Sequence, residues 1–311
     1  MLPLIAVAAR LAQFSAALIL FGAPLFFIYG LPAKGAAAAA SLRWPRPLFL
    51  GAAIVLLLGA WAALCAQTGI MTDAVGDALK PDVVASVVTG TQFGLITALR
   101  GGLAILAGLT LWLVRPGRGL WIALAGSGGV ILASFAWSGH GAADEGPGGL
   151  LHLVADMIHL WAAGVWIGAL AVLALLLAAA RRQPDPVALR ALHRGLEGFS
   201  GVGTAVVAAL IATGLVNSWF LIGPSHLLAL FSALYGLLLI AKLIVFAGML
   251  ALAAANRFQL TPRLASALES GGSAEAIGAL QRSVAIECLA ALAVIALVSM
   301  LGTIAPLSAV S

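Results

Sequence analysis

The chain has 311 residues, 63% of them apolar and only 9% charged, with a mean hydropathy of +1.13. A soluble domain carries about 25% charged residues, so this composition cannot clothe a water-facing surface, and the chain belongs in a lipid bilayer. Its two cysteines, Cys65 and Cys288, exclude a disulfide scaffold and form no zinc spacing; the net charge of +5 lies between apolar runs, not in a patch suited to nucleic acid.

A hydrocarbon core of about 30 Å takes about 20 apolar residues of helix. Eight runs of that length are bounded by charge, Pro or Gly: Leu4 to Gly30, Leu48 to Thr68, Thr91 to Val114, Leu120 to Gly139, Leu150 to Ala180, Phe199 to Ile222, Ala229 to Ala255 and Ser283 to Ala305. A barrel would show short alternating strands instead. The expectation is an all-α integral membrane protein, a bundle of about eight transmembrane helices forming one domain over 1–311 and compatible with two four-helix halves.

Basic loops stay on the cytoplasmic side. One set of alternate loops holds twelve Lys and Arg, from Lys34 to Arg282, and the other holds Lys80 alone. Both termini are therefore expected outside, with the first run kept as a span because no small-residue cleavage motif follows it. The outer loops carry Asp73, Asp77, Asp82, Asp144 and Glu145, an acidic mouth that would steer cations inward.

Four of the five histidines fall in the outer half: His140 after the fourth span, His152 and His159 early in the fifth, and His226 before the seventh. His193 lies in an inner loop. His152, Asp156 and His159 stand at i, i+4 and i+7, which puts them on one stripe of a helix, and polar groups in a membrane face the bundle interior. The two imidazoles are about 10.5 Å apart along the axis, which fits successive stations better than one closed site. Asp156 could also orient an imidazole from behind. His140, His152, His159 and Asp156 are the candidate metal ligands, with His226, Cys65 and Met71 as secondary ones; spacing alone does not choose among copper, zinc, nickel and iron.

Arg100 and Lys242 fall near the middle of the third and seventh spans and require partners. Asp156, Glu287, Gln13, Asn217 and Gln92 are the available ones, and Arg10 raises the same question. Arg10, Gln13, Arg100, Asn217, Lys242 and Glu287 therefore form a candidate set of intramembrane polar or gating residues. Gln13 to Ala23 can be laid on His159 to Ala169 with four identities in eleven, as a parallel duplication of four spans would give. Gln13 then takes the place of His159, and the two are expected to face each other.

Several segments together resemble the bacterial copper resistance protein D (CopD/PcoD-like) family: Ser138 to Ala142, Leu151 to Ala169, Phe199 to Gly201, Thr213 to Asn217, Tyr235 to Lys242, Ala254 to Pro262 and Arg282 to Glu287. The likeness covers most of the chain and is strongest over about 138–306. It implies an inner-membrane protein of copper homeostasis that passes copper, as Cu(I) or Cu(II), across the membrane with a small periplasmic copper-binding partner (CopC-like). By position, the matching polar residues are His140, His152, Asp156, His159, Asn217, Lys242, Asn256, Arg257 and Glu287. The family commonly has a His three residues after the Arg of the first span, where this chain has Gln13, a departure that puts a metal ligand from that span in doubt.

Copper import from a periplasmic site is the leading functional reading. The alternatives are a haem-binding, b-type cytochrome-like electron carrier and a metal sensor or scaffold at the periplasmic face without translocation. No ATP-binding loop, nucleophile elbow or HExxH is present, so transport would draw on ion gradients or the membrane potential, and no enzyme is expected.

Overall fold

The computed structural model describes residues 1–31, 45–138, 146–182, 186–270 and 273–309. It is built of helices: α1 Leu2–Tyr29, α2 Pro45–Met71, α3 Pro81–Gly90, α4 Gln92–Leu113, α5 Arg118–Ser134, α6 Gly146–Arg182, α7 Pro186–Ile222, α8 Leu234–Ala255, α9 Thr261–Ser270 and α10 Ser273–Leu301. Among the described residues eight helical segments are long and apolar enough to cross a bilayer, and each contains most of one expected run. With no water to satisfy backbone groups in lipid, a chain this apolar satisfies the backbone of its spans by folding them as helices.

The boundaries differ where charge misleads. α6 and α7 are 37 residues each, about 55 Å, and project past the bilayer with arginines that interrupt hydropathy but suit a helix. The loop after α2 holds a 3-10 turn, Val75–Asp77, and α3. The expected start at Ala229 lies in a 3-10 segment, Pro224–Phe231, and α8 begins only at Leu234. Beyond α8 the helix continues through a π-turn, Asn256–Leu260, into α9.

α1 and α6 are the central helices. α1 packs on α2, α5, α6 and α10, while α6 packs on α1, α5, α7 and α10. They cross where Gly22 meets Gly164 and Gly168 so closely that a Cβ on Gly22 or Gly168 would run into the facing backbone. Small residues allow this approach because lipid gives helices no hydrophobic drive to associate, leaving close packing to hold them. Gly22 and Gly168 are equivalent positions of the weak repeat, so the crossing brings the two copies of one position together. Packing follows the same rule elsewhere: α1 on α5 matches α6 on α10, and α4 on α5 matches α8 on α10. One contact breaks the rule. α2 and α4 pack along each other, whereas their counterparts α7 and α8 scarcely touch among the described residues.

Candidate functional site

The gap between α7 and α8 opens a cavity of about 400 Å3, floored by α6 and closed behind by α1 and α10. Its walls are largely Leu, Ile and Phe. Into them project Arg10, His152, Asp156, His159, Asn217 and Lys242, joined by Tyr235. Each lies toward the N-terminal end of α1, α6 or α8 or the C-terminal end of α7, so the cavity belongs to the bundle end that holds both termini. The helical stripe expected on the fifth span is therefore turned to the interior, and six of the candidates from four helices share one space.

His159 is the most constrained. Its Nδ1 lies 2.9 Å from Thr213 Oγ1, and that hydroxyl lies 2.6 Å from the carbonyl oxygen of Ala209. A hydroxyl has one hydrogen, and here it goes to Ala209, so Thr213 accepts from His159 Nδ1–H. The imidazole is thereby held in the tautomer whose Nε2 keeps a free lone pair. Gly214 lies beside the ring, where a Cβ would sit in ordinary contact, 3.7 Å from His159 Cε1. Asp156 does not orient this imidazole: its Oδ1 accepts from Asn217 Nδ2 at 3.2 Å, leaving the Asn217 Oδ1 buried without a protein donor. His152 lies parallel to Phe220, with ring centroids 4.8 Å apart.

Arg10 and Lys242 are near enough to act on the Asp156 charge, but the described ion pairs, Lys80–Asp77 and His193–Glu197, both lie outside the cavity. Arg10 rests against Gly302, where any Cβ would displace its guanidinium, and its Nε is buried without a partner.

Several expectations are corrected. Among the described residues Arg100 pairs with no carboxylate; its Nε donates to Ser134 Oγ at 2.8 Å, its Nη2 to Ser134 O at 2.9 Å and to Ser138 Oγ, and the guanidinium lies 3.9 Å from the Phe135 ring centroid. It sits behind the cavity wall, where Phe135 stacks on Phe14. Gln13 does not face His159; its Nε2 donates to Gly59 O at 3.1 Å, fastening α1 to α2. Glu287 partners neither buried cation. Its carboxylate accepts from Trp166 Nε1 and Asn256 Nδ2, each at 2.9 Å. His226 bonds its neighbour Ser225 at 3.1 Å, and neither it, Cys65 nor Met71 lines the cavity. His140, Asp144 and Glu145 lie outside the described residues. Of the other outer acids, Asp77 is bound to Lys80 at 2.6 Å, and this hydrogen bond holds the Lys80 ammonium above its ordinary pKa.

Among the described residues no three His, Cys, Asp or Glu side chains converge on one metal position. The donors are instead strung along α6, so an ion would meet one or two at a time. Sequence reasoning missed Thr213, Trp166 and Tyr235 as parts of the site. The seven-residue step from His152 to His159 reaches Trp166 next and could have pointed to it; Thr213 and Tyr235 gave no comparable signal.

Comparison with known proteins agrees with this architecture. Residues 1–150 match the family model "Copper resistance protein D-like, N-terminal domain", and residues 193–301 match "Copper resistance protein D". The chain is 34% identical over 307 residues to Copper resistance protein D of Pseudomonas syringae pv. tomato, covering 97% of each. It is 29% identical to the Inner membrane protein YebZ of Escherichia coli (strain K12), over 83% of this chain and 85% of that one. With the Copper transport protein CutJ of Bacillus subtilis (strain 168) it shares 32% identity over 60% of its own length and 34% of that protein's. No solved structure matches it. An eight-span bundle whose halves both match models of one family, and which aligns end to end with a curated member, belongs to the copper resistance protein D family.

Proposed function

We propose that the protein takes up copper at the periplasmic side, in the cavity between α7 and α8, and passes it across the inner membrane toward the cytoplasm. The observation that carries this reading is the His159 imidazole, fixed through Thr213 so that Nε2 offers its lone pair in a buried cavity. Imidazole nitrogen binds copper well, and His152 two turns nearer the cavity end supplies a preceding station. The excess of Lys and Arg in the loops at the other end supports an outward-facing cavity, and two relatives are named for copper resistance and copper transport. A small periplasmic copper-binding protein would deliver the ion at this face.

His159→Ala is expected to lower both the copper bound per purified chain and copper accumulation in cells. Thr213→Val, which frees the tautomer, should weaken binding by about tenfold while preserving the fold. Unchanged binding and accumulation in His152→Ala and His159→Ala, at equal expression, would sink the proposal. Copper uptake by proteoliposomes separates transport from a sensor or scaffold role. Haem held by two imidazoles would need a histidine from a second helix opposite His159, and His193 and His226 do not line the cavity; the purified protein is expected to show no Soret band.

A further inference from the structure

A second cavity, of about 250 Å3, lies farther along α6 toward the opposite end of the bundle, between α6, α7, the π-turn and α10. At its wall is Glu287, 1% exposed, whose two carboxylate oxygens accept, among the described residues, from neutral donors alone, the Trp166 indole and the Asn256 amide. A buried carboxylate without a counter-charge is costly. Arg257, the cation that shares this cavity, is bound to Thr204 at 2.6 Å, and no described cation lies within ion-pair distance of Glu287. On its own helix the adjacent titratable group is Cys288, whose thiol points to Leu170 O at 3.9 Å; α6 and α7 present Trp166 and Thr204, which carry no charge. The Asn256 Oδ1 is a further buried oxygen with no donor.

The donor chemistry differs from that of the first cavity. There the ligand is imidazole nitrogen; here it is carboxylate, amide and hydroxyl oxygen, a hard set that suits a proton or an alkali cation and serves copper poorly. The two spaces meet at one residue. Trp166 lines both, turns its N–H to the Glu287 carboxylate and packs edge-on to Phe246 at 5.9 Å, so one side chain touches the acid and forms part of the first cavity's wall.

We propose that the Glu287 cavity binds a hard coupling cation, a proton or Na+, and that Trp166 transmits its occupancy to the copper cavity. Neutralising Glu287 weakens its bond to the indole, Trp166 is released, and the barrier between the two cavities loosens. The role of this cation rests on the copper-transport reading, but its binding does not, and the tests separate the two. Without copper, purified wild type should either take up one equivalent of radioactive sodium or show an infrared band of a protonated carboxyl group that disappears on titration with base. Glu287→Gln, which keeps an oxygen for Trp166 but has no charge, should lose whichever signal is seen. Trp166→Phe should shift it, which assigns the signal even if Glu287→Gln does not fold. Neither signal in the wild type, or a signal unchanged in both variants, overturns the cation site.

In proteoliposomes an imposed proton or sodium gradient, whichever cation binds, should change wild-type copper flux by at least about fivefold. Glu287→Gln should retain its bound copper yet lose that response. Flux indifferent to both gradients overturns the coupling and leaves the copper cavity standing; absence of copper binding in the wild type overturns the copper reading and leaves the hard-cation site standing.

Discussion

Lys242 sets the electrostatic problem of the cavity proposed to take copper. Among the described residues Arg10 and Lys242 share it with a single carboxylate, Asp156, so under the proposed function the attraction for a cation would come from the imidazole lone pairs. An arriving ion would then have to displace the Lys242 ammonium, which its flexible stem permits. Lys242→Met removes the repulsion and is expected to tighten equilibrium copper binding by about tenfold while slowing uptake, since the group that helps expel the ion is gone; equilibrium dialysis and vesicle flux measure the two halves of that outcome. At this scale the sequence was half legible. Helical spacing alone placed His152, Asp156 and His159 on one inward stripe. It could not assign the partner of Arg100, because Ser134 and Ser138 look like any other small polar residues until α5 tightens into a 3-10 turn and brings both hydroxyls to the guanidinium. Thr213 escaped notice for the same reason: its function depends on where its one hydrogen points.

Among the elements, the decisive comparison is between the two third helices of the repeat. Arg100 and Lys242 each stand ninth in their helix, α4 and α8. In the first half the cation is hydrogen-bonded through Nε and Nη2 and α4 packs on α2; in the second the equivalent helix stands off α7 and the cation lines a cavity. Gln13 and His159 show the same divergence, one amide tying α1 to α2 and one imidazole facing an open space. The first half thus supplies a packed scaffold against which the second keeps its gap. That gap rests on the α1–α6 crossing. Gly168→Ala places a methyl against the Gly22 backbone, and overpacking of this kind costs about 1–3 kcal/mol. The variant should lose its monodisperse form at a lower temperature in detergent, and Gly126→Ala, where nothing stands near the Cβ position, should not. Span number and type were readable because hydropathy tracks burial in lipid, whereas the splay of α7 from α8 left no trace in either sequence segment.

For the whole molecule, the unequal distribution of charge and the unequal cavities describe one axis. His152, Asp156 and His159 lie toward the end with the termini, and Glu287, Asn256 and Arg257 toward the end with the basic loops, with Trp166 between. The repeat makes this possible, because two parallel four-helix halves put the N-terminal ends of α1 and α6 on the same side. Orientation in the membrane then decides which station an incoming ion meets first. If the basic loops are cytoplasmic, a membrane-impermeant maleimide applied outside the inner membrane should label Lys80→Cys readily, in a background with Cys65 and Cys288 replaced by Ser. Arg118→Cys, at the start of α5 on the opposite side, should be labelled only after the membrane is opened. The reverse pattern would place the imidazole stations on the cytoplasmic side, and the same chain would then have to load copper from within the cell; equal labelling of both sites in intact membranes would mean that the chain inserts in two orientations, leaving the loop charges too weak to assign a direction.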